Sequence, residues 1–148
     1  MTPVTYQKDD YLLTTDVSKM DVSAIHDFLC NESYWSKNIP FERVKKAVHH
    51  SLNFGVFHSG KQVGYARVIS DYSTIAYLGD VYILNNFRGK GLSKWLMESV
   101  MNHPELQGLR RWILLTGDAH ELYKKYGWAT IHKPELWMEK HQPDVYTR

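Results

Sequence analysis

A short segment of the sequence combines glycine and positive charge in a pattern that suits an anionic ligand. The segment NNFRGKGLSKWLM, residues 85–97, has Gly89 and Gly91 two positions apart, directly ahead of apolar residues with helical spacing. Glycine admits the positive φ angles at which successive backbone N–H groups converge on one point. A helix N-terminus also favours an anion through its macrodipole. Three cations stand around the glycines: Arg88, Lys90 and Lys94.

Two known glycine loops do not match this segment. A dinucleotide fingerprint G-x-G-x-x-G that starts at Gly89 would place its third small residue on Lys94, and the chain contains no complete Walker A sequence, G-x-x-x-x-G-K-[Ser/Thr]. A strand, a short loop, Arg-Gly-Lys-Gly and a helix remain. This arrangement predicts a pyrophosphate site formed by the backbone of Arg88, Gly89, Lys90, Gly91, Leu92 and Ser93.

The elements that must position this loop follow from hydrophobic periodicity. YLLTTD (11–16) predicts a strand, and two helices follow, the first through Val22, Ile25 and Leu29 and the second in 39–52 with Pro40 near its start. Residues 54–70 predict a hairpin that turns at Ser59–Lys61, and 74–84 a further strand before the glycines. Residues 110–117 predict a buried strand, 118–127 a short helix that ends at Gly127, and ELWME (135–139) a last edge strand. The predicted order is β-α-α-β-β-β-α-β-α-β, a single mixed α/β domain over residues 1–148.

Composition excludes several classes of function. With 18 Lys+Arg against 16 Asp+Glu, the net charge of +2 creates no overall field that would draw the chain onto nucleic acid or an acidic membrane. A single cysteine, Cys30, allows no internal disulfide and fits a reducing compartment. No apolar run approaches the roughly 20 residues that span a bilayer, and the first residues lack the order of a signal peptide. We therefore expect a cytoplasmic protein with no nucleic-acid partner, no membrane partner and no metal, either a monomer or a homodimer.

The segment VYILNNFRGKGLSKWLMESVM (81–101) resembles the core motif of the GCN5-related N-acetyltransferase (GNAT) superfamily, [Gln/Arg]-x-x-Gly-x-[Gly/Ala] after the fourth strand. HELYKKYGW (120–128) is similar to the family's Tyr-x-x-x-Gly-Phe segment. With the helix pair after the first strand, the resemblance covers nearly the whole chain. One position departs from the pattern, since Asn86 stands where the family has Gln or Arg.

The resemblance implies acetyl-coenzyme A as co-substrate, held in a splayed, mostly antiparallel sheet flanked by helices. The coenzyme would lie between the strand of 74–84 and the strand of 110–117, with its pyrophosphate on the Arg88–Ser93 amides. Backbone groups around Tyr82 and Ile83 would pair with the pantetheine arm like an added strand. A bulge there would direct an N–H group at the thioester oxygen.

Acetyl transfer to an amine needs a base for the nucleophile and a proton donor for the departing thiolate. The resemblance places Tyr123 where GNAT enzymes commonly carry the proton donor, whereas Tyr126 is expected to face the core with Leu122. Asp80 is the first candidate for the base, because a carboxylate in an apolar strand requires a partner or a function. A structural Asp paired with an N–H group or an arginine is the open alternative. His120 and Asp118 are secondary candidates, and Asp118 could instead cap its helix.

The acceptor is expected to lie opposite the coenzyme, against the loop NESYWSKNIP (31–40). Tyr34 and Trp35 could wall its pocket while Glu32 attracts a cation, and the alternative is that the two aromatics close an edge of the core. Arg67, with Tyr65, could face the same cleft from the hairpin.

Three hypotheses remain from the sequence. The first is an N-acetyltransferase that acts on a primary amine of a small molecule or peptide by direct attack. The second is an acyl-CoA-binding module without turnover. The third is a nucleic-acid-binding protein with a basic patch that includes Arg110 and Arg111, and the near-neutral net charge weighs against it.

Overall fold

The structure is a computed structural model that describes residues 1–147. Six strands are present: β1 (Thr5–Lys8), β2 (Tyr11–Thr14), β3 (Leu52–His58), β4 (Lys61–Ser70), β5 (Ile75–Ile83) and β6 (Arg111–Leu114). Four α-helices accompany them: α1 (Val22–Asn31), α2 (Phe41–His49), α3 (Leu92–Met101) and α4 (His120–Lys124). The helix pair after the first strands, the hairpin β3–β4 and the helix behind the glycines are all confirmed.

The six strands form one sheet in the order β1-β2-β3-β4-β5-β6. Every neighbouring pair is antiparallel except β5 and β6, which are parallel and are connected through α3. The predicted α/β class, with a mostly antiparallel mixed sheet flanked by helices, is therefore confirmed.

The two faces of the sheet are covered by different helices. Side chains of α1 and α2, among them Ile25 and Val44, form one core with Tyr65 and Tyr82 of the sheet. On the opposite face, α3 packs its apolar stripe against the sheet residues of the other core, such as Ala66. Because side chains alternate along a strand, Arg67 points to the same face as Tyr65, toward α1 and α2.

Local signals in the sequence explain where the first helices begin. Asp21 is the N-cap of α1, and its carboxylate accepts a hydrogen bond from the Ala24 N–H at 3.0 Å. Pro40 stands directly before α2, where its missing N–H leaves no helical hydrogen bond unmade.

Two strand predictions need correction. The strand predicted at 11–16 is the second arm of a hairpin, because an additional strand, Thr5–Lys8, pairs with Tyr11–Thr14. Thr5–Lys8 is exposed and has no apolar alternation, so its sequence does not predict a strand. The predicted last strand in ELWME is wrong. Pro134–Leu136 forms a turn of 3-10 helix, in which Pro134 has no N–H to offer a sheet, and β6, like β1, is an edge strand of the sheet that the described residues form. Within the same residues, no helix is long and apolar enough to cross a bilayer.

Candidate active site

The parallel strands β5 and β6 separate part-way along their length. Only Ile75–Leu78 of β5 pair with β6, along Arg111–Leu114, whereas β5 continues to Ile83. Residues 79–83 of β5 therefore have a strand neighbour on the β4 side but none on the β6 side within the described chain. This gap between β5 and β6 ends next to the glycine loop (88–93), which follows β5 after one turn of 3-10 helix, Asn85–Phe87.

Register determines which backbone groups of β5 face the gap. The Leu84 N–H donates to the Val63 carbonyl of β4 at 2.8 Å. Along an antiparallel pair of strands, hydrogen-bonded and non-hydrogen-bonded residue pairs alternate. Tyr82 lies opposite Tyr65 and two residues before Leu84, so its backbone groups are also directed toward β4. The backbone groups of Val81 and Ile83 are directed into the gap. The alternation thus favours Val81 and Ile83, rather than Tyr82, as partners for an added strand.

The glycine loop has the conformation that the sequence predicts. Gly89 and Gly91 have φ angles of 77° and 79°, which L side chains rarely adopt. A Cβ atom at either position would meet no protein atom within 4 Å, so the space in front of the loop is open. Positive φ, and not contact with the rest of the chain, is the reason that glycine is required in the protein itself.

Unused backbone donors gather at the start of α3. Gly91 is its N-cap and supplies no side-chain acceptor, and the first helical hydrogen bond runs from the Trp95 N–H to the Gly91 carbonyl. The N–H groups of Leu92, Ser93 and Lys94 are therefore free of intrahelical acceptors. Arg88 differs from the prediction, because its N–H already donates to the Asn85 carbonyl. The backbone N–H groups that remain available to a ligand consequently begin at Gly89.

The Arg88 side chain has a structural role in this loop. Its Nε donates to the Ile83 carbonyl at 3.0 Å, which ties the loop back onto the end of β5. A ligand in the gap would thus find the Ile83 carbonyl already engaged. The Ile83 N–H remains directed into the gap.

Asp80 lies at a bulge in β5, at the start of the gap. Tyr65 is opposite Tyr82 and Arg67 is opposite Gly79, so two steps along β4 face three along β5. Asp80 has a φ of 53°, in the left-handed region where a residue other than glycine costs about 1–2 kcal/mol. Such strain persists where the surrounding structure holds it in place, and it is concentrated at functional sites.

The contacts of the Asp80 carboxylate hold it at this bulge. Its Oδ2 accepts from the Nε of Arg67 at 2.8 Å, and its Oδ1 accepts from the Nε1 of Trp35 at 2.9 Å. Arg67 also donates from Nη1 to the Ser51 Oγ at 3.1 Å. The structure thus brings together Asp80, Arg67 and Trp35, which the sequence proposed separately. The pairing of Asp80 with an arginine is the contact that the structural alternative for this residue expected.

Tyr34, next to Trp35, reaches the other side of the gap. Its hydroxyl oxygen accepts from the Gly117 N–H, in the segment after β6, at 2.8 Å, although the residue is 62% exposed. Tyr34 and Trp35 therefore connect the α1–α2 loop to the segment after β6 and to β5, on the two sides of the gap. Glu32 lines a cavity to which neither Tyr34 nor Trp35 contributes.

Tyr123 is the buried residue of α4. It is 8% exposed and belongs to the core on the α3 face of the sheet, whereas Tyr126 is only packed against that core. The prediction that Leu122 and Tyr126, rather than Tyr123, face the core is therefore wrong. Burial, with smaller contributions from Tyr34 and Asp118, raises the pKa of the Tyr123 hydroxyl to about 12.

Asp118 and His120, the secondary candidates for the base, lie in different surroundings near α4. Ala119, not Asp118, is the N-cap of α4, and no side chain caps this helix. The Ala119 N–H instead donates to the Thr116 Oγ1 at 3.1 Å. His120 lines the same cavity along β6 as Tyr123. No group of three or more His, Cys, Asp or Glu side chains suited to a metal ion occurs among residues 1–147.

Sequence reasoning missed three participants in this site. Val81 faces the gap only because of the register at the bulge, and Ser51 joins Arg67 across strands. Asn53 accepts a short hydrogen bond from the buried Tyr65 hydroxyl. The two polar residues lie within or next to an apolar strand run, which was the only sequence signal available.

Comparison with known proteins agrees with this geometry. The acetyltransferase (GNAT) family model matches residues 22–128. The chain belongs to the GNAT family of acetyltransferases. A Gibberella zeae protein named as an acetyltransferase is 32% identical over 145 residues, which cover 83% of this chain and 81% of that protein.

Solved structures agree with the GNAT assignment. A crystal structure of a GNAT-family protein from Xanthomonas campestris pv. campestris is 48% identical and superposes with a TM-score of 0.93, covering 96% of this chain and all, 100%, of that one. A Clostridium acetobutylicum protein named as an acetyltransferase and solved with acetyl-CoA is 15% identical, with a TM-score of 0.64 and coverage of 95% and 96%. At that identity the second likeness concerns the fold alone.

Proposed function

We propose that this GNAT protein is an acetyl-CoA-dependent N-acetyltransferase that transfers an acetyl group to a primary amine by direct attack. One observation carries the proposal: a strained, hydrogen-bonded carboxylate, Asp80, lies at the point where β5 and β6 separate, and the anion-binding loop lies at the far end of the same gap. A nucleophile held by Asp80 and a thioester held along β5 would meet at that point.

The residues around the gap fit the coenzyme. Free N–H groups from Gly89 to Lys94 would hold its pyrophosphate, since they converge at a helix N-terminus. The open space in front of Gly89 and Gly91 leaves room for close approach. The Val81 and Ile83 N–H groups would hold the pantetheine arm in the gap. When bound, the coenzyme supplies an acetyl thioester.

Asp80 is the group that acts on the amine. Each of its carboxylate oxygens already accepts one hydrogen bond and retains a further lone pair for the acceptor. Oδ1 or Oδ2 can accept a proton from the amine, directly or through a water molecule, as nitrogen bonds to the acetyl carbon. Arg67 acts as a positioning residue, because it holds the carboxylate in one orientation.

Tyr123 lines the cavity along β6, and we assign it to the departing sulfur because the family resemblance implies a proton donor at this position. With a pKa of about 12, its hydroxyl stays protonated throughout the neutral range. A free thiol has a pKa of about 8.5, so complete transfer of the proton to a thiolate is uphill by about 5 kcal/mol. Tyr123 therefore acts first as a hydrogen-bond donor, and it releases its proton only as negative charge accumulates on the sulfur.

An acyl-CoA-binding module without turnover is the second candidate. The observation that favours it is the pairing of Asp80 with Arg67 and Trp35, which gives the carboxylate a structural role without any reaction. Release of free thiol from acetyl-CoA in the presence of polyamines, amino acids, aminoglycosides and peptide N-termini distinguishes the two. Amine-dependent release supports the transferase. Tight binding with no release above that of a protein-free control supports the module.

A further inference from the structure

A cavity of about 280 Å³ lies between α1, α2 and the sheet, next to Asp80. Its sheet side includes Arg67 and Asp80, and its helix side includes Arg43 and Lys46 of α2. Ligand pockets commonly measure about 300–1,000 Å³, so a cavity just below this range suits only a small, compact molecule. We call it the α2 cavity.

The charges in the α2 cavity are not balanced. Arg67 is paired with Asp80, but neither Arg43 nor Lys46 forms an ion pair within residues 1–147. The cavity thus presents three cations against one carboxylate. A small anion bound there would meet two cationic side chains that have no carboxylate partner among residues 1–147.

Helix electrostatics explain one of these cations but not the other. Lys46 lies in the last turn of α2, where a positive charge is stabilised by the helix dipole. Arg43 lies three residues after the Pro40 N-cap, in the first turn, where the dipole disfavours a positive charge. The helix dipole therefore gives no reason for an arginine at position 43.

The rest of the cavity wall limits the ligand to a compact shape. Apolar side chains of α1 and α2, with Tyr146 from the C-terminal segment, line it. The Tyr65 hydroxyl also lies in the wall, but it donates its hydrogen bond to the Asn53 Oδ1 and is not available to donate to a ligand. Ser36 and Tyr146 add neutral polar groups, so the cations without an ion-pair partner that could bind an anion are Arg43 and Lys46 of α2.

An acidic cavity on the other side of α1 is a less suitable place for the acceptor. Asp21, Asp27 and Glu32 line it, and so does Arg88 of the glycine loop. Asp80 is not among its lining residues. An amine bound there would have no contact with the carboxylate at the bulge.

We propose that the acceptor amine carries an anionic group, a carboxylate or a phosphate, which Arg43 and Lys46 bind while the amine lies against Asp80. This inference rests on the proposed function, because it assigns the amine to Asp80. It narrows the acceptor to small zwitterionic amines.

Matched pairs of amines test the inference with the wild-type protein. Glycine, β-alanine and γ-aminobutyrate are compared with their amides, and O-phosphoethanolamine with ethanolamine, at saturating acetyl-CoA. We expect kcat/KM to be at least about 10-fold higher for the anionic member of one or more pairs, since a hydrogen bond to a charged group contributes on this scale. The pair that shows the preference identifies the anion. Equal or lower kcat/KM for every anionic member would overturn the inference.

Substitutions in α2 assign the preference to the cavity. Arg43→Gln and Lys46→Gln should each raise KM for the anionic member about 10-fold and leave its kcat and the neutral member unchanged. Lys45→Gln is the matched control, because Lys45 is exposed on the same helix and does not line the cavity. A preference that survives the Arg43→Gln/Lys46→Gln double variant would place the anion elsewhere.

A binding measurement separates this inference from the proposed function. In the protein saturated with desulfo-coenzyme A, β-alanine and O-phosphoethanolamine are titrated by calorimetry into wild type and the double variant. Binding of either probe to wild type that weakens at least about 10-fold in the double variant supports the cavity even if no amine is acetylated, an outcome that would overturn only the transferase. Absence of binding to wild type, or equal binding to both proteins, contradicts the cavity.

Discussion

The Nε of Arg67 lies 2.8 Å from the Oδ2 of Asp80, and the two side chains are only 18% and 11% exposed. The pair joins β4 to β5 at the bulge, where Asp80 adopts a positive φ. An unpaired carboxylate would be disfavoured in such a site, so Arg67 stabilises both the charge and the orientation of Asp80. The same contact leaves the carboxylate beside the gap and beside the α2 cavity.

Substitutions at Asp80 should reveal the backbone strain at the bulge. Asp80→Ala and Asp80→Gly both lose the contacts with Arg67 and Trp35, but only glycine adopts positive φ without strain. We expect the Gly variant to be more stable than the Ala variant by about 1 kcal/mol in urea unfolding. At Val81, which lacks positive φ, the order should reverse, with Ala more stable than Gly. An Ala variant at position 80 that equals or exceeds the Gly variant in stability would show that the strain is absent.

Gly91→Ala should weaken binding of acetyl-CoA by about 10-fold to 100-fold. The substitution disfavours the positive φ that directs the amides, and each hydrogen bond to a charged group contributes about 1.5–3 kcal/mol. Calorimetric titration measures the loss. Gly108→Ala is the matched control, because Gly108 has a φ of 75°, has equally open space around it and precedes the opposite end of the β5–β6 pair. If both variants bound acetyl-CoA as wild type does, the phosphate site would lie elsewhere.

Tyr123→Phe should lower kcat while leaving coenzyme binding nearly unchanged. Phenylalanine keeps the ring in the core, where it lies 6.1 Å from the Trp128 ring, and removes the hydroxyl proton. General acid catalysis is typically worth about 10²–10⁴-fold, and we expect a loss in that range when departure of the thiolate limits the rate. Tyr126→Phe, three residues further on, is the control and should retain activity. Unchanged kcat in Tyr123→Phe would leave Tyr123 as a packing residue.

Buried tyrosines predict that the protein loses stability above about pH 10. Burial raises the pKa of Tyr65 and Tyr82, and that of Tyr123 to about 12. Above the pKa of the unfolded chain, about 10, the unfolded state releases protons that the folded state keeps. The contribution of these tyrosines to the free energy of unfolding is fully present below pH 10. Above it, each pH unit lowers the free energy of unfolding by about 1.4 kcal/mol per tyrosine until the pKa of that tyrosine in the folded state is reached. Urea unfolding at pH 8, 10 and 11 measures the decline.

Tyr82→Phe provides the control for the alkaline effect. The substitution keeps the ring that stacks on Phe28 at 3.9 Å and removes one titrating hydroxyl. Its free energy of unfolding should fall less steeply between pH 10 and 11 than that of wild type. Identical slopes in the two proteins would show that Tyr82 is not responsible for the decline.

The parts of the site that the sequence predicted are the local ones. Gly89 and Gly91 before an apolar-periodic segment specify a turn and a helix start within a few residues, and the structure has both. Asp80 could be singled out because a carboxylate interrupts an apolar strand. Each of these inferences depends only on neighbours along the chain.

The features that the sequence did not reveal depend on register. Arg67 and Asp80 are 13 residues apart, and they meet only because one extra residue in β5 shifts the pairing across the bulge. The same shift directs the Val81 amide into the gap. The face that α4 presents to the core was predicted wrongly, because its five residues form too short a helix for periodicity to decide.

The most direct test of the proposed transferase is a mass balance on one reaction mixture. N-acetylated acceptor and free coenzyme thiol are measured over time in wild type and in Asp80→Asn, which keeps an acceptor oxygen at the bulge but is a far weaker base. We predict equal amounts of the two products in wild type and a decrease of both by about 10²–10⁴-fold in Asp80→Asn, with coenzyme binding retained. Thiol release without an acetylated amine, or acetylation that is unchanged in Asp80→Asn, would contradict the account.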